Sequence, residues 1–472
     1  MRTPSMSVTI FILLLILGCA AWAKDDPGAL SPQLVDKLRA QCRDQGDQKV
    51  MINAVTNNNI KDLALNREKV VTHDKFMSLK LKTSKVINQK SSGRCWMFAG
   101  VNVLSPQIMA KLKTDNFEIS EPYLAFWDKM EKANFFLEEV IRLRDKPFDD
   151  RELEVVVKSP FGDGGWWHYF ADLIDKYGLM PISAMPETKQ SSATGRVNGL
   201  ATTLLRSAAA DIRAMHREGT DVKQLRQMKE ETLADIYRLM VYSYGQPPDS
   251  FYFRYESNDT ALKPQPRWYT PKEFYGEVAG DDMREYVALI NNPARDMDQL
   301  FKLESSRNIA DKPDLTVLNL TSAELKEYAL ASLVDSQAVW FACDVGKENY
   351  SDSGVMAVDI YDYNATFQMD FKMSKADRIT YKQITPNHAM TLVGVDTTDS
   401  GAPGKWLVEN SWGTKRGDSG LWYMYDDWFD EYVLMVIIDK SLLSDEDAHK
   451  LEQKPIAIPQ WEPFFLALRS LN

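Results

Sequence analysis

Cysteine and histidine are both scarce in this chain of 472 residues, which contains four cysteines and five histidines. No two cysteines form a Cys-x-x-Cys pair, and the histidines show no His-Glu-x-x-His spacing. These absences argue against a zinc ribbon, a thioredoxin-like redox site and a dedicated metal centre. We therefore expect no metal site.

Basic charge is also in deficit, since 56 Lys and Arg stand against 67 Asp and Glu, a net charge of −11. This balance argues against nucleic acid as the main partner, because nucleic-acid binding depends on basic side chains. Hydrophobic residues make up 44% and charged residues 26% of the chain, which excludes wholesale disorder. At roughly 150 residues per domain, the length corresponds to about three structural units.

Long apolar runs are confined to the amino terminus. Val8–Leu17 is interrupted only by Thr9, and Ala21-Trp22-Ala23 follows with the small residues that a signal peptidase recognises. We predict an export signal over residues 1–23, with lipid attachment at Cys19 or a buried N-terminal helix as alternatives. The run is short for a membrane span, and we predict no transmembrane segment.

Export would leave three cysteines in the mature chain, Cys42, Cys95 and Cys343. An odd number means that at least one thiol has no partner within the chain. Cys343 lies in an apolar run and is expected in a core strand.

The remaining sequence divides by its hydrophobic pattern. Helical spacing dominates the charged stretch after Glu187, whereas short apolar runs separated by Gly, Asp and Pro begin near Ala338 and predict strands. Prolines in the last twenty residues predict an extended tail. The predicted parts are an N-terminal arm (24–62), a helical domain with the nucleophile helix (63–186), a helical insertion (187–330), a β-barrel domain (331–440) and a C-terminal arm (441–472).

One thiol stands at a position suited to nucleophilic chemistry. A turn at Ser91-Ser92-Gly93 precedes Cys95, which opens a helix that is apolar on all sides and therefore buried. The positive end of the helix dipole favours the thiolate there. Gln89 lies six residues earlier, where its amide and the Cys95 backbone N–H could form an oxyanion hole, worth roughly 3 kcal/mol per donor.

A thiolate nucleophile also needs a base and a group that orients the base. His388 stands at the head of a predicted strand, and Asn410 ends another, 410 − 388 = 22 residues later. That separation suits a hairpin that returns beside its start. Trp412 could shield the His388–Asn410 hydrogen bond from water.

These residues resemble the papain-like cysteine peptidases in their order and local context. The separation of Cys95 and His388, 388 − 95 = 293 residues, exceeds the about 130–150 usual for papain and cathepsins, and the predicted insertion accounts for the excess. The fuller resemblance is to the bleomycin hydrolase (aminopeptidase C) branch. It covers the chain from about residue 60 onward through blocks that include Ser92–Trp96, Ile119–Lys129, Ala133–Glu138, Asp163–Trp166, Ala184–Thr188 and Phe341–Lys347.

The resemblance implies an α+β papain-like fold with a helical insertion, assembled as a homohexamer whose active sites face an internal cavity. It implies an aminopeptidase that cleaves peptide substrates without a cofactor, with the C-terminal arm lying in the cleft and its carboxylate holding the substrate amino group. The implied catalytic residues are Cys95 as nucleophile, His388 as general acid and base, Asn410 as orienting group and Gln89 as oxyanion donor. The implied substrate-binding residues are Gly164, Gly165, Trp96, Trp412 and Asn387.

Two features depart from that family pattern. The export signal contrasts with a mostly cytosolic family, and Arg469–Asn472 extends the arm beyond the family's usual end. An endopeptidase whose tail leaves the cleft open is therefore an alternative. A non-catalytic peptide-binding scaffold is another, although the intact Gln89, Cys95, His388 and Asn410 set argues against it.

Overall fold

The structure is a computed structural model, and it describes residues 26–43, 48–279 and 282–465. The predicted export signal with Cys19 and the end of the tail, including Arg469–Asn472, lie outside the described residues. The chain divides into a small unit that ends at Leu65 and a large unit that begins at Asn66. No helix in the described ranges has both the length and the apolar character needed to cross a membrane.

Helices alternate with strands in the large unit, and three helices make up the described part of the small one. The helices are α1 (Pro32–Arg43), α2 (Gln48–Asn57), α3 (Ile60–Ala64), α4 (Arg67–Thr72), α5 (Cys95–Leu112), α6 (Glu121–Arg142), α7 (Arg151–Lys158), α8 (Trp167–Tyr177), α9 (Gly195–Arg217), α10 (Val222–Tyr244), α11 (Pro271–Val278), α12 (Ser322–Val334), α13 (Tyr363–Phe367), α14 (Lys375–Thr380), α15 (Asp426–Tyr432) and α16 (Asp445–Lys450).

The strands are β1 (Leu79–Lys80), β2 (Phe251–Phe253), β3 (Arg267–Tyr269), β4 (Tyr286–Ile290), β5 (Gln299–Leu303), β6 (Thr316–Asn319), β7 (Val339–Cys343), β8 (Asn349–Tyr350), β9 (Val355–Met356), β10 (His388–Thr397), β11 (Pro403–Glu409), β12 (Leu421–Tyr425), β13 (Val433–Asp439) and β14 (Ile456–Ile458). One mixed sheet has the order β14-β5-β6-β4-β13-β7-β10-β11-β12-β9-β8, with β1 paired to β10. Strands β2 and β3 form a separate antiparallel pair.

Helix α5 is buried against the middle of the large sheet. Polar bonds cross this contact: the indole of Trp340 on β7 donates to the carbonyl of Trp96 at 2.9 Å, and the hydroxyl of Thr391 on β10 donates to that of Ala99 at 3.2 Å. The prediction of a buried helix that begins at Cys95 is confirmed. Because β10 begins at His388, this packing brings the start of α5 to the start of β10.

The segment 187–330 differs from the predicted helical insertion. Its first half contains α9 and α10, but residues 286–319 contribute β4, β5 and β6 to the large sheet. Strand β4 is buried between β13 and β6, and strands covered by neighbours carry continuous apolar runs rather than a clear period of two. The same pairing means that the strands of 331–440 belong to a wider sheet rather than to a separate barrel domain.

Candidate active site

Cys95 is the first residue of α5, and its side chain is only 2% exposed. Its sulfur accepts a hydrogen bond from the backbone N–H of Ala389, the residue that follows His388. The thiol therefore lies at the head of β10, beside the predicted base. Cys42, Cys95 and Cys343 are all free thiols, and Cys343 is buried in β7 as predicted.

The imidazole of His388 is held by Asn410. Nε2 of His388 lies 2.9 Å from Oδ1 of Asn410, a hydrogen bond in which the ring N–H donates, so the lone pair is left on Nδ1. The indole of Trp412 stacks on the imidazole, with ring centroids 4.9 Å apart and planes inclined by 29°. Both His388 and Asn410 are buried, so this orienting bond is shielded from water.

The amide of Gln89 is fixed in front of α5 by two hydrogen bonds. Its Nε2 donates to the Ser92 carbonyl at 2.5 Å, and its Oε1 accepts from the Ser411 hydroxyl at 2.6 Å. Ser411 follows Asn410, so one short segment anchors both the orienting group and the oxyanion donor. One Nε2 hydrogen stays available for a substrate oxygen.

Burial sets the protonation of the pair. It raises the pKa of Cys95 to about 11, although the backbone N–H groups of Ala389, Trp96 and Cys95 favour the thiolate, and the Asp163 carboxylate raises it further. Burial lowers the pKa of His388 to about 4. Burial therefore opposes the effect of the helix terminus on the thiol, and the nucleophilic thiolate remains a prediction.

The five predicted substrate-binding residues separate into different environments. Trp96 is fully buried, and its indole donates to the Asp163 carbonyl at 2.8 Å, so it supports the site from behind. Asn387 donates to Asp344 at 2.6 Å and accepts from the Val345 N–H at 3.2 Å, so it braces the loop before His388. The side chain of Trp96 is thus closed off from solvent, whereas that of Asn387 is partly exposed and its binding role stays a prediction.

The two glycines border a cavity, as the prediction requires, but they are not equivalent. The carbonyl of Gly164 accepts from the Lys132 ammonium at 2.7 Å and is therefore already occupied. Gly165 lies so close to Trp96 that a Cβ would stand 2.5 Å from its ring. Trp412 remains half-buried over His388.

The cavity has a volume of about 500 Å³ and lies beside the glycines, with the C-terminal arm as one wall. Gln460, Trp461 and Pro463 line it from the arm, and Thr385 lines it from the loop before His388. Beyond them, the ring of Phe465 packs edge-on against Trp166 at 5.5 Å. The described part of the arm thus reaches the side of the site where the glycines lie.

Sequence reasoning missed the charged groups behind the site. Lys129 and Asp163 form a buried ion pair at 2.7 Å, and Lys132 pairs with Asp128 at the same distance. Charged residues at the buried positions of α6 were the signal that could have found them, because such residues are seldom buried unpaired.

Among the described residues, one carboxylate cluster has a spacing that would suit a cation: Asp298, Glu324 and Asp447. The Lys450 ammonium already lies 2.7 Å from Asp298 and 2.8 Å from Asp447. Glu324 closes the capping box of α12. These carboxylates therefore already have structural partners, and the cluster is remote in sequence from the Cys95 site.

Comparisons with known proteins agree with this geometry. The sequence model of the Peptidase C1-like family matches residues 29–465. Aminopeptidase C of Listeria monocytogenes serovar 1/2a is 37% identical over 92% of this chain and 98% of its own length, and Aminopeptidase C of Lactococcus lactis subsp. cremoris is 36% identical over 87% and 93%. The crystal structure of PepW from Lactobacillus rhamnosis HN001 superimposes with a TM-score of 0.88 at 34% identity and covers 93% of this chain and 99% of that one.

Proposed function

The chain belongs to the Peptidase C1-like family, has the α+β papain-like fold and is a cysteine aminopeptidase, and we propose that it is exported and acts through a thioester on Cys95. The observation that supports this chemistry is the convergence of four residues. Cys95 and His388 begin α5 and β10, Asn410 follows β11, and Gln89 lies in the turn before α5. The two relatives named Aminopeptidase C support cleavage at the amino end of the substrate.

The proposed reaction begins with the neutral pair of thiol and imidazole. As Cys95 attacks the substrate carbonyl, Nδ1 of His388 takes the thiol proton, and Asn410 stabilises the imidazolium through Nε2. The developing oxyanion accepts from the Cys95 backbone N–H and from the free Nε2 hydrogen of Gln89. His388 then gives its proton to the leaving amine, and a thioester remains on Cys95.

Water completes the cycle. His388, neutral again, accepts a proton from the water that attacks the thioester, and the same two donors hold the second oxyanion. Collapse of this intermediate releases the amino acid and returns the proton to the Cys95 sulfur. No metal or organic cofactor takes part in these proposed steps.

Selectivity for a free amino end is proposed to come from the arm. The Trp461 and Pro463 positions in the cavity wall support a path for the tail along the cleft, and a terminal carboxylate at its end would pair with a substrate ammonium. This pairing would exclude N-blocked peptides and longer chains on that side. If the tail stays outside the cleft, the same catalytic residues would act as an endopeptidase.

Export and a homohexamer complete the proposal. The apolar run and Ala21-Trp22-Ala23 support processing at residue 23, with lipid attachment at Cys19 as the alternative. Large exposed side chains such as Phe148, Tyr242 and Trp268 support burial between subunits.

The first experiment compares a free-amine aminoacyl fluorogenic substrate with its N-acetylated counterpart under reducing conditions. We expect turnover of the free amine, little turnover of the acetylated compound, and none of either by Cys95→Ala. Better cleavage of the acetylated compound would indicate an endopeptidase. Loss of both activities in the wild-type protein would favour the scaffold alternative.

A further inference from the structure

Asp163 carries an unusual number of hydrogen bonds for a residue outside the catalytic set. One carboxylate oxygen accepts from the Gly93 N–H at 2.8 Å and from the Thr194 hydroxyl at 2.5 Å. The other accepts from the Asn198 amide at 2.7 Å and lies 2.7 Å from the Lys129 ammonium. The residue is 1% exposed, and an ionised carboxylate has about four such acceptor positions, so all are filled.

These bonds hold the nucleophile from both sides. Gly93, bound by the carboxylate, lies two residues before Cys95, and Trp96, whose indole donates to the Asp163 carbonyl at 2.8 Å, lies one residue after it. The Cys95 backbone N–H, proposed as an oxyanion donor, lies between these two fixed points. Its direction therefore depends on Asp163.

Two of the residues that bind the Asp163 carboxylate come from the segment predicted as an insertion. Thr194 and Asn198 belong to the start of α9. The chain just before them is bonded to the same turn, because the Ser91 N–H donates to the Ser192 carbonyl at 3.1 Å and the Arg94 guanidinium donates to Glu187 at 2.8 Å. Hydrogen bonds thus connect the start of the insertion to the turn that precedes Cys95.

The charge of Asp163 acts on the same thiol. The Lys129 ammonium, 1% exposed, and the hydrogen bonds from Thr194 and Gly93 hold the pKa of Asp163 below its usual range despite burial, so the carboxylate stays ionised at neutral pH. This negative charge raises the pKa of Cys95. Removing it while Lys129 remains would leave an uncompensated positive charge and lower the thiol pKa.

We propose that Asp163 is a positioning residue, which aims the oxyanion donor of Cys95 and holds a buried negative charge behind the turn that carries this thiol, and that Thr194 on the insertion completes the anchor. The inference rests on the proposed peptidase chemistry for its kinetic part alone. Its alkylation part concerns the thiol and does not depend on any substrate.

The kinetic experiment compares Thr194→Val with Thr194→Ser. Valine keeps the shape of threonine and removes the donor, whereas serine keeps the donor. We expect Thr194→Val to lower kcat roughly tenfold, as loss of one bond to a charged acceptor would, with KM within about threefold. Thr194→Ser should restore the wild-type kcat, and equal kcat in both variants would overturn the positioning role.

The charge experiment uses Asp163→Asn, with Asp221→Asn at the N-cap of α10 as a matched control. Iodoacetamide alkylation of Cys95 is followed against pH, and mass spectrometry separates it from Cys42 and Cys343. We expect the midpoint of Asp163→Asn to fall by about one pH unit while kcat falls roughly tenfold to a hundredfold. Asp221→Asn should match the wild type.

The two readouts separate a positioning role from a structural one. A merely structural Asp163 would lower the melting temperature and leave the alkylation midpoint of the folded protein unchanged, which would overturn the proposal. If no variant and no wild-type protein hydrolyses a peptide, the aminopeptidase proposal fails. The shift in alkylation would then still decide the effect of Asp163 on the thiol.

Discussion

At the scale of single residues, the reactivity of Cys95 and His388 depends on which of the two side chains carries a proton. The thiol of Cys95 and the imidazole of His388 are both buried, and burial disfavours the charged form of each. Both shifts favour the neutral pair, with the proton on sulfur. In an exported enzyme, as proposed, a neutral thiol would be less readily oxidised than a thiolate.

This protonation predicts the pH dependence of the wild-type enzyme. Cys95 alkylation by iodoacetamide should be slow at neutral pH and rise toward about pH 11, because deprotonation of a raised-pKa thiol requires alkaline solution. kcat/KM should persist as the pH falls until about pH 4, where protonation of His388 removes the proton acceptor. An alkylation rate that is already at its plateau near neutral pH would contradict a resting thiol.

At the scale of elements, the contact of α5 with the glycine segment determines the shape of the site. Gly165 lies against the ring of Trp96, and Gly100 on α5 lies against the ring of Phe170 on α8, where a Cβ would stand 2.7 Å from the ring. These approaches let α5 lie close to its neighbours. Close packing of this kind leaves little room for relaxation.

The Gly165→Ala substitution tests this contact. Its Cβ would overlap the Trp96 ring at 2.5 Å, so either the ring or the segment 163–165 must shift. We expect kcat/KM to fall at least roughly tenfold and the melting temperature to decrease, since overpacking costs about 1–3 kcal/mol. Gly199→Ala on α9 is the matched control: nothing lies within 4 Å of its Cβ, and a small gain in stability is expected. Equal activity of the two variants would contradict a role of the Gly165–Trp96 contact in shaping the site.

At the scale of the whole large unit, the described part of the C-terminal arm lies beside the cavity that Gly164 and Gly165 border. Strand β14 pairs with β5 at the edge of the sheet, the ion pair of Glu462 with Arg295 at 3.2 Å fixes the arm, and Phe465 packs on Trp166. The arm is therefore attached to the fold up to the cavity. In the proposed clamp, residues 466–472 would contact the substrate's amino end.

Two truncations test the arm. Removal of residues 469–472 changes the position of the terminal carboxylate, and removal of residues 466–472 takes away the whole segment beyond Phe465. We expect both to change the ratio of free-amine to N-acetylated substrate use, with the longer truncation favouring acetylated substrates more. Cys95→Ala versions of each serve as blanks. An unchanged ratio in both truncations would count against the carboxylate clamp.

Local sequence was enough to predict the site residues and the class of the fold. Each of Gln89, Cys95, His388 and Asn410 stands in a local context of a few residues, so turns, helix starts and strand ends can be predicted from neighbours alone. The helices α9 and α10 and the buried α5 were predictable for the same reason. The roles of these four residues in catalysis remain predictions that the geometry supports.

The surroundings of the site residues depend on the tertiary structure. Burial by distant strands raises the pKa of Cys95, Asn387 is bound to Asp344, and the Gly164 carbonyl accepts from Lys132. Strands β4 and β5 pair with β13 and β14, which lie more than a hundred residues away in the chain, and β6 lies between them. Burial, ion pairing and strand pairing depend on contacts between segments far apart in the chain, which local residue patterns do not record.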